Sequence, residues 1–365
     1  MDLTPILDRF GESATTAAGG LVIGLLFGIF AQRSRFCLRS AVIEFAHGAL
    51  GPKVAVWLLA FSSAVAGTQG LIAAGLLDVS EARLLATRGS LSGALIGGTL
   101  FGAGMILSRG CASRLLVLSA NGNLRALLNG LVFAVTAQAS LRGLLAPARD
   151  ALAGLWTVAD AKALNLLTLA GLGPGGGPAL GLLFLAVAVW LGVRNRVPAW
   201  GWAGAVGVGA TVAAGWWCTF AVASQSFGPV AVKSLAFTGA SAETLMLFLS
   251  PPGNILDFDV GVVPGVFLGS FLAAALAGEL KLEGFQGATS MRRSVSGAVL
   301  MGFGGMLAGG CAVGAGVTNG AIFALTAWVA LTAMWAAAAL TDAVLDRRGG
   351  RPGDRRDGGA RSIAS

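Results

Sequence analysis

Long apolar runs separated by short polar stretches dominate the chain. Runs of about 17 to 25 mostly apolar residues are long enough to cross a bilayer as helices. We predict a spanning helix in each of nine runs: residues 17–32, 53–77, 91–108, 124–145, 178–194, 200–217, 260–280, 293–309 and 321–345. The pattern therefore predicts an all-α polytopic membrane protein, most of whose outer surface is covered by lipid.

Four further apolar stretches are too short to span a bilayer, and each begins at or beside a cysteine. They cover residues 37–49, 111–119, 218–227 and 311–318. Non-helical backbone is tolerated at membrane depth only where protein buries it or where it lines a polar cavity. We therefore predict four short re-entrant helices around a central pathway.

An internal repeat organises the spans. Residues 97–112 (GGTLFGAGMILSRGCA) align without gaps to residues 297–312 (GAVLMGFGGMLAGGCA), with eight identities in sixteen positions and Cys111 on Cys311. We predict a first repeat at 17–145, a linker at 146–199 with a connecting span at 178–194, and a second repeat at 200–345. Four spans plus one linking span invert the second repeat in the membrane. Cys37 would then correspond, less securely, to Cys218.

Charge sets the expected orientation and excludes a soluble protein. Only 12% of residues are charged, against about 25% in soluble domains. Counted on alternating sides of the nine spans, seven of the 25 Lys and Arg residues fall on one side and eighteen on the other. The positive-inside rule places the N-terminus in the periplasm and the C-terminus in the cytoplasm. The basic residues are scattered between spans, so no nucleic-acid partner is expected, and the basic, glycine-rich tail 346–365 is predicted to be disordered.

Cysteine and histidine usage argues against a metal centre or a disulfide framework. The chain has four cysteines and one histidine, His47, with no CxxC or Cys/His ligand spacing. No nucleotide-binding loop or acyl-transfer nucleophile arrangement is visible. We expect no cofactor, no metal and no enzyme activity. Glycines at spacing four, such as Gly20, Gly24 and Gly28, predict close helix packing.

Basic residues beside two of the cysteines favour an anionic solute. Arg35 and Arg39 flank Cys37, while Arg109 and Arg114 flank Cys111. Short-helix N-termini at the same places expose free backbone N–H groups, which also attract anions. The alternative is that these arginines only anchor the cytoplasmic boundary of the membrane.

The opposite half is expected to bind the solute differently. The sequence places almost no basic residue near Cys218 or Cys311, so backbone amides, thiols and the polar side chains of Thr318 and Asn319 are the expected contacts. Ionisable residues also lie near span ends: Glu44, His47, Glu279 and Asp342. We expect these four at the membrane interface, which gives a proton relay only weak support.

The segments SRFCLRSA at 34–41, SRGCA at 108–112 and GGCAVGAGVTNG at 309–320 resemble the YeeE/YedE family, a sulfur-transport family whose best understood members take up thiosulfate into bacteria. The resemblance implies an inner-membrane protein with nine spanning helices and short re-entrant helices in inverted repeats. It implies that thiosulfate passes between cysteine thiols, and that a TusA-like sulfur carrier acts in the cytoplasm.

The family's cysteines carry over onto Cys37, Cys111 and Cys311, with Cys218 the weakest match. This chain departs from the family after Cys111, where Ala112, Ser113, Arg114, Leu115 and Leu116 replace the usual small residues. Arg114 is either an obstacle to the substrate or an added anion contact.

Three other functions remain open from sequence. The same cysteines would serve a transporter of sulfide or of a selenium compound. A membrane redox enzyme would require a cysteine pair within disulfide range. A structural or assembly protein would tolerate loss of Cys37, Cys111 and Cys311.

Overall fold

The computed structural model describes residues 4–79, 89–158, 164–173, 175–226, 228, 230–249, 256–285 and 287–349, and these are almost entirely helical. Nine helical stretches of this described part are long and apolar enough to cross a membrane. The main helices of these stretches are α1 (Thr4–Ser34), α3 (Pro52–Ala73), α4 (Leu91–Leu107), α6 (Leu124–Arg142), α9 (Gly176–Arg194), α10 (Ala199–Ala223), α12 (Phe258–Leu276), α13 (Ala288–Leu307) and α15 (Leu325–Gly349). Each overlaps one predicted span, so the prediction of a nine-span all-α membrane protein is confirmed.

Shorter elements connect the long helices. They are α2 (Leu38–Ala46), α5 (Ala112–Ala120), α7 (Ala146–Ala153), α8 (Leu166–Leu169), α11 (Phe237–Leu249), a π-helix at Ala312–Thr318 and α14 (Asn319–Ala321). Two short antiparallel strands, β1 (Gly89–Ser90) and β2 (Thr157–Val158), pair Gly89 with Val158 and Ser90 with Thr157. The linker predicted at 146–199 thus contains α7, β2 and α8 before the spanning helix α9.

Close contacts at small residues show how the long helices run relative to each other. Gly20 and Gly28 of α1 face Phe258 and Val266 of α12, so these two helices are parallel. Gly93 and Gly104 of α4 face Leu307 and Gly297 of α13, so that pair is antiparallel. Both relations match nine spans that alternate in direction. The connections after α3, α6 and α10 therefore leave the bundle at one end, and those after α1, α4 and α9 leave it at the other.

The α1 and α12 backbones touch because glycine stands at their interface. A Cβ atom on Gly20 would lie 2.1 Å from the carbonyl oxygen of Phe258, and one on Gly24 would lie 2.5 Å from that of Val262. No side chain fits these positions. The predicted packing function of the glycine stripe in the first span matches these contacts.

Each pair of packed helices has a counterpart in which both helices are replaced by the corresponding helices of the other half. The contact of α1 with α12 corresponds to that of α10 with α3, and α4 with α15 corresponds to α13 with α6. Likewise α2 packs on α3 as α11 packs on α12. These pairings are what a two-fold relation between residues 17–145 and 200–345 requires. The inverted repeat and the re-entry of the short helices into the membrane stay predictions.

The predicted short helix at 218–227 is wrong. Helix α10 continues through Cys218 to Ala223, and residues 218–223 contain neither glycine nor proline that would end it. The chain is then non-helical at the described positions of 224–236, and the short helix of this half is α11, which begins at Phe237. The tail also begins later than predicted, since α15 extends to Gly349; residues 350–365 lie outside the described part.

Candidate functional site

Three of the four cysteines follow the same backbone turn. The residue two positions before each cysteine has a positive φ: 53° at Arg35, 60° at Arg109 and 77° at Gly309. The next N–H bonds back to a carbonyl in the last turn of the helix, in the pairs Phe36 to Ala31, Gly110 to Met105 and Gly310 to Gly305. This left-handed helix end satisfies carbonyls that would otherwise lack partners. It terminates α1, α4 and α13 just before a thiol.

Each of these cysteines then starts a new helix. Cys37, Cys111 and Cys311 are the N-terminal caps of α2, α5 and the π-helix, with extended backbone at the cap. The Cys311 Sγ accepts hydrogen bonds from the backbone N–H groups of Gly314 and Phe237, both at 3.4 Å. Because Phe237 is the first residue of α11, the Cys311 thiol lies at the N-terminal ends of two helices, where partial positive charge collects.

The side chains of Cys37 and Cys111 are close enough to interact with each other. Both residues are buried, and neither forms a disulfide. The Cys111 Sγ also lies 3.4 Å from the Ser113 Oγ. A cysteine pair at this proximity is the feature that the redox-enzyme alternative required, so it has to be separated from transport by experiment.

A cavity of about 440 Å³ opens beside Cys37, and we call it the Cys37 cavity. Its lining is rich in basic and small polar residues: Arg33, Ser34, Arg35, Cys37, Ser40, Pro52, Lys53, Val56, Arg114, Val197, Pro198, Trp200 and Gly201. The Nη1 of Arg114 is buried and has no hydrogen-bond partner, and the same holds for the Nε of Arg39. Buried donors without acceptors are costly unless an acceptor arrives, so they favour an anion in this region.

The other predicted arginines differ in their settings. The Arg35 side chain lines the Cys37 cavity but is 78% exposed and lies 3.7 Å from Glu279. Arg109 is exposed and does not line the Cys37 cavity; its backbone forms the turn before Cys111. Of the four arginines predicted to contact an anion, Arg114 has the setting that fits best.

A second cavity, of about 360 Å³, lies at the opposite end of the bundle, and we call it the Lys233 cavity. Residues Gly309 and Gly310, which precede Cys311, form part of its wall, together with Thr318 and Asn319. The Thr318 hydroxyl donates to the Leu235 carbonyl at 2.6 Å. Its proton is therefore already used in a hydrogen bond that holds the 232–236 segment. Its oxygen remains able to accept a hydrogen bond.

The sequence predicts almost no basic residue near Cys218 or Cys311, but the cavity beside Cys311 has two in its wall. Lys233 and Arg149 both line the Lys233 cavity. The Lys233 Nζ lies 2.7 Å from Asp259 Oδ2 and also contacts Asp257. Burial alone lowers the pKa of the Lys233 ammonium, but Asp259 and Asp257 outweigh burial and hold that pKa above its ordinary value. Sequence reasoning missed this cluster because Lys233 and its two partners are separated by more than twenty residues.

Cys218 is set apart from the other three cysteines. It lies inside α10, is half-buried, and lines neither described cavity. A Cβ atom on Gly19 would lie 2.7 Å from the Cys218 Sγ, so this thiol packs against α1. Its place in a substrate path has no support from the geometry.

The ionisable residues predicted at the membrane interface make local contacts at the Cys37 end. Glu44 accepts from the Val54 N–H at 2.8 Å, and His47 lies 3.5 Å from Asp342. Glu279 accepts from the Gln32 side chain at 2.7 Å. These contacts join loops and helix ends.

Comparison with known proteins places these features in a family. The model of a family described as sulphur transport matches residues 33–340. A thiosulfate transporter TsuA of Spirochaeta thermophila is 29% identical over 329 residues, which is 85% of this chain and 93% of that protein. A thiosulfate transporter TsuA of Escherichia coli is 27% identical over 336 residues, or 86% of this chain and 90% of that protein.

Proposed function

Because the chain belongs to the sulphur transport family, we propose that it carries thiosulfate across the bacterial inner membrane into the cytoplasm. Two relatives that align over nearly their whole length are named thiosulfate transporters. The Cys37 end, which carries eighteen of the 25 basic residues in the nine-span topology, faces the cytoplasm under the positive-inside rule. The Lys233 cavity then opens to the periplasm.

The observation that carries this proposal is the pair of cavities at opposite ends, one lined by Cys37 and the other by the two glycines that precede Cys311. Thiosulfate enters the Lys233 cavity and contacts Cys311, whose thiol accepts from two backbone N–H groups and keeps its own S–H free to donate. It then reaches Cys111 and Cys37, and leaves through the Cys37 cavity beside Arg114.

Thiols suit this role because they hold an anion weakly. A protonated thiol is a weak hydrogen-bond donor without charge, so it donates to an anion without repelling it. Conduction needs sites that bind and also release. The protein then acts as a transporter and not as an enzyme, and a TusA-like sulfur carrier is the proposed acceptor in the cytoplasm.

Uptake of radiolabelled thiosulfate tests the proposal in cells that lack their own importers and express this chain. We compare the unchanged protein with Cys111→Ala and Cys311→Ala at matched membrane levels, and use Cys218→Ala as the control thiol. Uptake should collapse in the first two variants and persist in the third.

Other outcomes select among the alternatives. No uptake by the unchanged protein would remove thiosulfate as substrate, and competition with sulfide and selenium compounds would then identify the solute. Uptake that survives in both Cys111→Ala and Cys311→Ala would reduce these cysteines to packing residues.

A further inference from the structure

Three carboxylates surround one ammonium group at the Lys233 cavity. One carboxylate oxygen from each of Glu243, Asp257 and Asp259 lies within 4.8 Å of the others. The Lys233 Nζ contacts Asp257 and Asp259. If every group were ionised, three negative charges would face a single positive charge. Lys233 and Asp259 both line the cavity, so this imbalance acts on any anion that enters it.

Two buried carboxyl oxygens without hydrogen-bond partners mark the position at which the cluster can hold a proton. Asp259 is 8% exposed, and its Oδ1 is buried without a hydrogen-bond partner, as is the Oε2 of Glu243. An oxygen of one carboxyl group lies within 4.8 Å of an oxygen of the other. Ionised carboxylates only accept, so a bond between them requires a proton on one of them. Neighbouring carboxyl groups that share a site resolve their repulsion in the same way.

The charged groups around Glu243 favour its protonated form. Glu243 belongs to α11, which is not one of the nine spans. Burial first, and then the charge of Asp259, raises the pKa of Glu243 to about 7. Asp257 acts in the same direction, while Lys233 and Arg142, the latter from the neighbouring helix α6, act against it.

Two further charges at the cavity balance each other. Arg149 and Asp150 both line it and form an ion pair at 2.7 Å. Between α10 and α11, the Gly228 N–H donates to the Glu12 carboxylate. The net charge of the cavity wall is therefore governed by Lys233 and its three carboxylates.

A proton fits this cluster better than a metal ion. The Lys233 ammonium already occupies the position of a bound cation, in contact with two of the three carboxylates. A metal ion would have to displace it or approach it at close range, and like charges repel strongly in a partly buried site.

We propose that Glu243 and Asp259 share a proton, and that this proton controls the entry of the anion into the Lys233 cavity. With the proton bound, the cluster carries one negative charge less, and Lys233 is less neutralised by Asp259. The incoming anion then meets weaker repulsion. Since linkage is reciprocal, anion binding in turn strengthens proton binding. The identity of the anion rests on the proposed function, whereas the shared proton does not.

Infrared spectroscopy of the purified protein tests the proton site without any transport. Below the Glu243 pKa of about 7, the unchanged protein should show a protonated-carboxyl band that Glu243→Gln lacks. Glu283→Gln is the matched control, because Glu283 is an exposed carboxylate in the loop between α12 and α13, at the other end of α12, and should leave the band intact. Absence of the band in the unchanged protein would overturn the proposal.

Thiosulfate uptake into proteoliposomes tests the control of entry. Internal pH is fixed, and KM and maximal rate are measured while external pH is varied around 7. KM should rise with pH above the Glu243 pKa, by at most about tenfold per pH unit, which is the limit for binding coupled to one proton, with little change in maximal rate. Glu243→Gln, which mimics the protonated state, should keep the low KM throughout.

The outcomes separate this proposal from the proposed function. A KM that does not vary with pH in the unchanged protein, or uptake that depends on sodium in place of protons, would overturn the control of entry. Uptake without the infrared band would reject the shared proton and keep thiosulfate transport. The band without any thiosulfate uptake would reject thiosulfate transport and keep the shared proton.

Discussion

The two cavities lie beside cysteines that follow the same backbone turn, Cys37 in the wall of one and Cys311 directly after the wall residues Gly309 and Gly310 of the other, yet the groups around these cysteines differ. At the Cys37 cavity two thiols face each other, and the Arg114 guanidinium keeps a buried donor without a partner. At the Lys233 cavity Cys311 is held by backbone N–H groups, and the nearby cation is already paired with two carboxylates. The same backbone framework therefore carries two different binding environments.

Aligned positions show which side chains make this difference. Extending the repeat alignment by two residues places Gly314 on Arg114. Ala236 precedes α11 as Cys37 precedes α2, so Ala236 stands where the second half would have its partner thiol. A Cβ atom on Gly314 would lie 2.9 Å from that of Ala236, which leaves no room for an arginine there. The turn is shared because it is set by the backbone, whereas charge and thiol number are set by single side chains.

The largest effect is expected from oxidation of the paired thiols. Diamide should join Cys37 to Cys111, with two thiol protons and two electrons passing to the oxidant, and the disulfide should abolish thiosulfate uptake into proteoliposomes. A thiol reductant should restore uptake. Peptide mass mapping checks the link directly, and Cys218→Ala should remain sensitive. Uptake that survives after the disulfide has been detected would place this pair outside the path.

Giving the other end a second thiol sharpens this test. Ala236→Cys in a Cys37→Ala background should form a disulfide with Cys311 and transfer the oxidant sensitivity to the Lys233 end. Should Cys37→Ala itself abolish uptake, a mapped link between the introduced thiol and Cys311 still reports whether the two ends are built alike.

A smaller effect is expected from loss of the unpaired guanidinium. Hydrogen bonds to charged groups contribute about 1.5 to 3 kcal/mol, so Arg114→Gln should weaken apparent thiosulfate affinity roughly ten- to hundredfold at the Cys37 side. The measurement is KM in inside-out vesicles, where the Cys37 cavity faces the medium. Arg194→Gln is the control, because Arg194 lies at the same end, stacks on Trp190 and does not line the cavity. Equal KM values in the two variants would show that Arg114 only anchors the membrane boundary.

The spans and three of the four breaks could be predicted because their signals are local. Apolar run length fixes a spanning helix, and the apolar stretches that begin at Cys37, Cys111 and Cys311 are too short to span the bilayer. The break predicted at Cys218 is wrong because a cysteine does not by itself end a helix, and α10 continues through it. Helix α10 ends at Ala223, five residues after Cys218.

The Lys233 cluster could not be predicted from local pattern. Lys233, Glu243 and Asp259 are brought together by a non-helical segment and two helices, and a single lysine between apolar runs is indistinguishable from a topology signal. The contact between Cys37 and Cys111 is hidden for the same reason, since it depends on how α2 and α5 meet. Packing between distant segments decides both features.

The smallest effect concerns the backbone turn that the two ends share. Arg109 and Gly309 occupy aligned positions and both have positive φ, at 60° and 77°. A residue with a Cβ atom pays about 1 kcal/mol or more in this conformation. Arg109→Gly should therefore unfold less readily than Arg109→Ala, by about that amount, although glycine destabilises an ordinary helical position.

The matching change at the other end should have the opposite sign. Gly309→Ala should lower the free energy of unfolding by a similar amount, and chemical unfolding of the purified variants in detergent micelles measures both. Comparing glycine with alanine at position 109 removes the arginine side chain from both proteins, so the difference reports the backbone alone. If alanine were as stable as glycine at position 109 but not at 309, the backbone turns before Cys111 and Cys311 would differ. The structural correspondence between the two ends would then lose its main support.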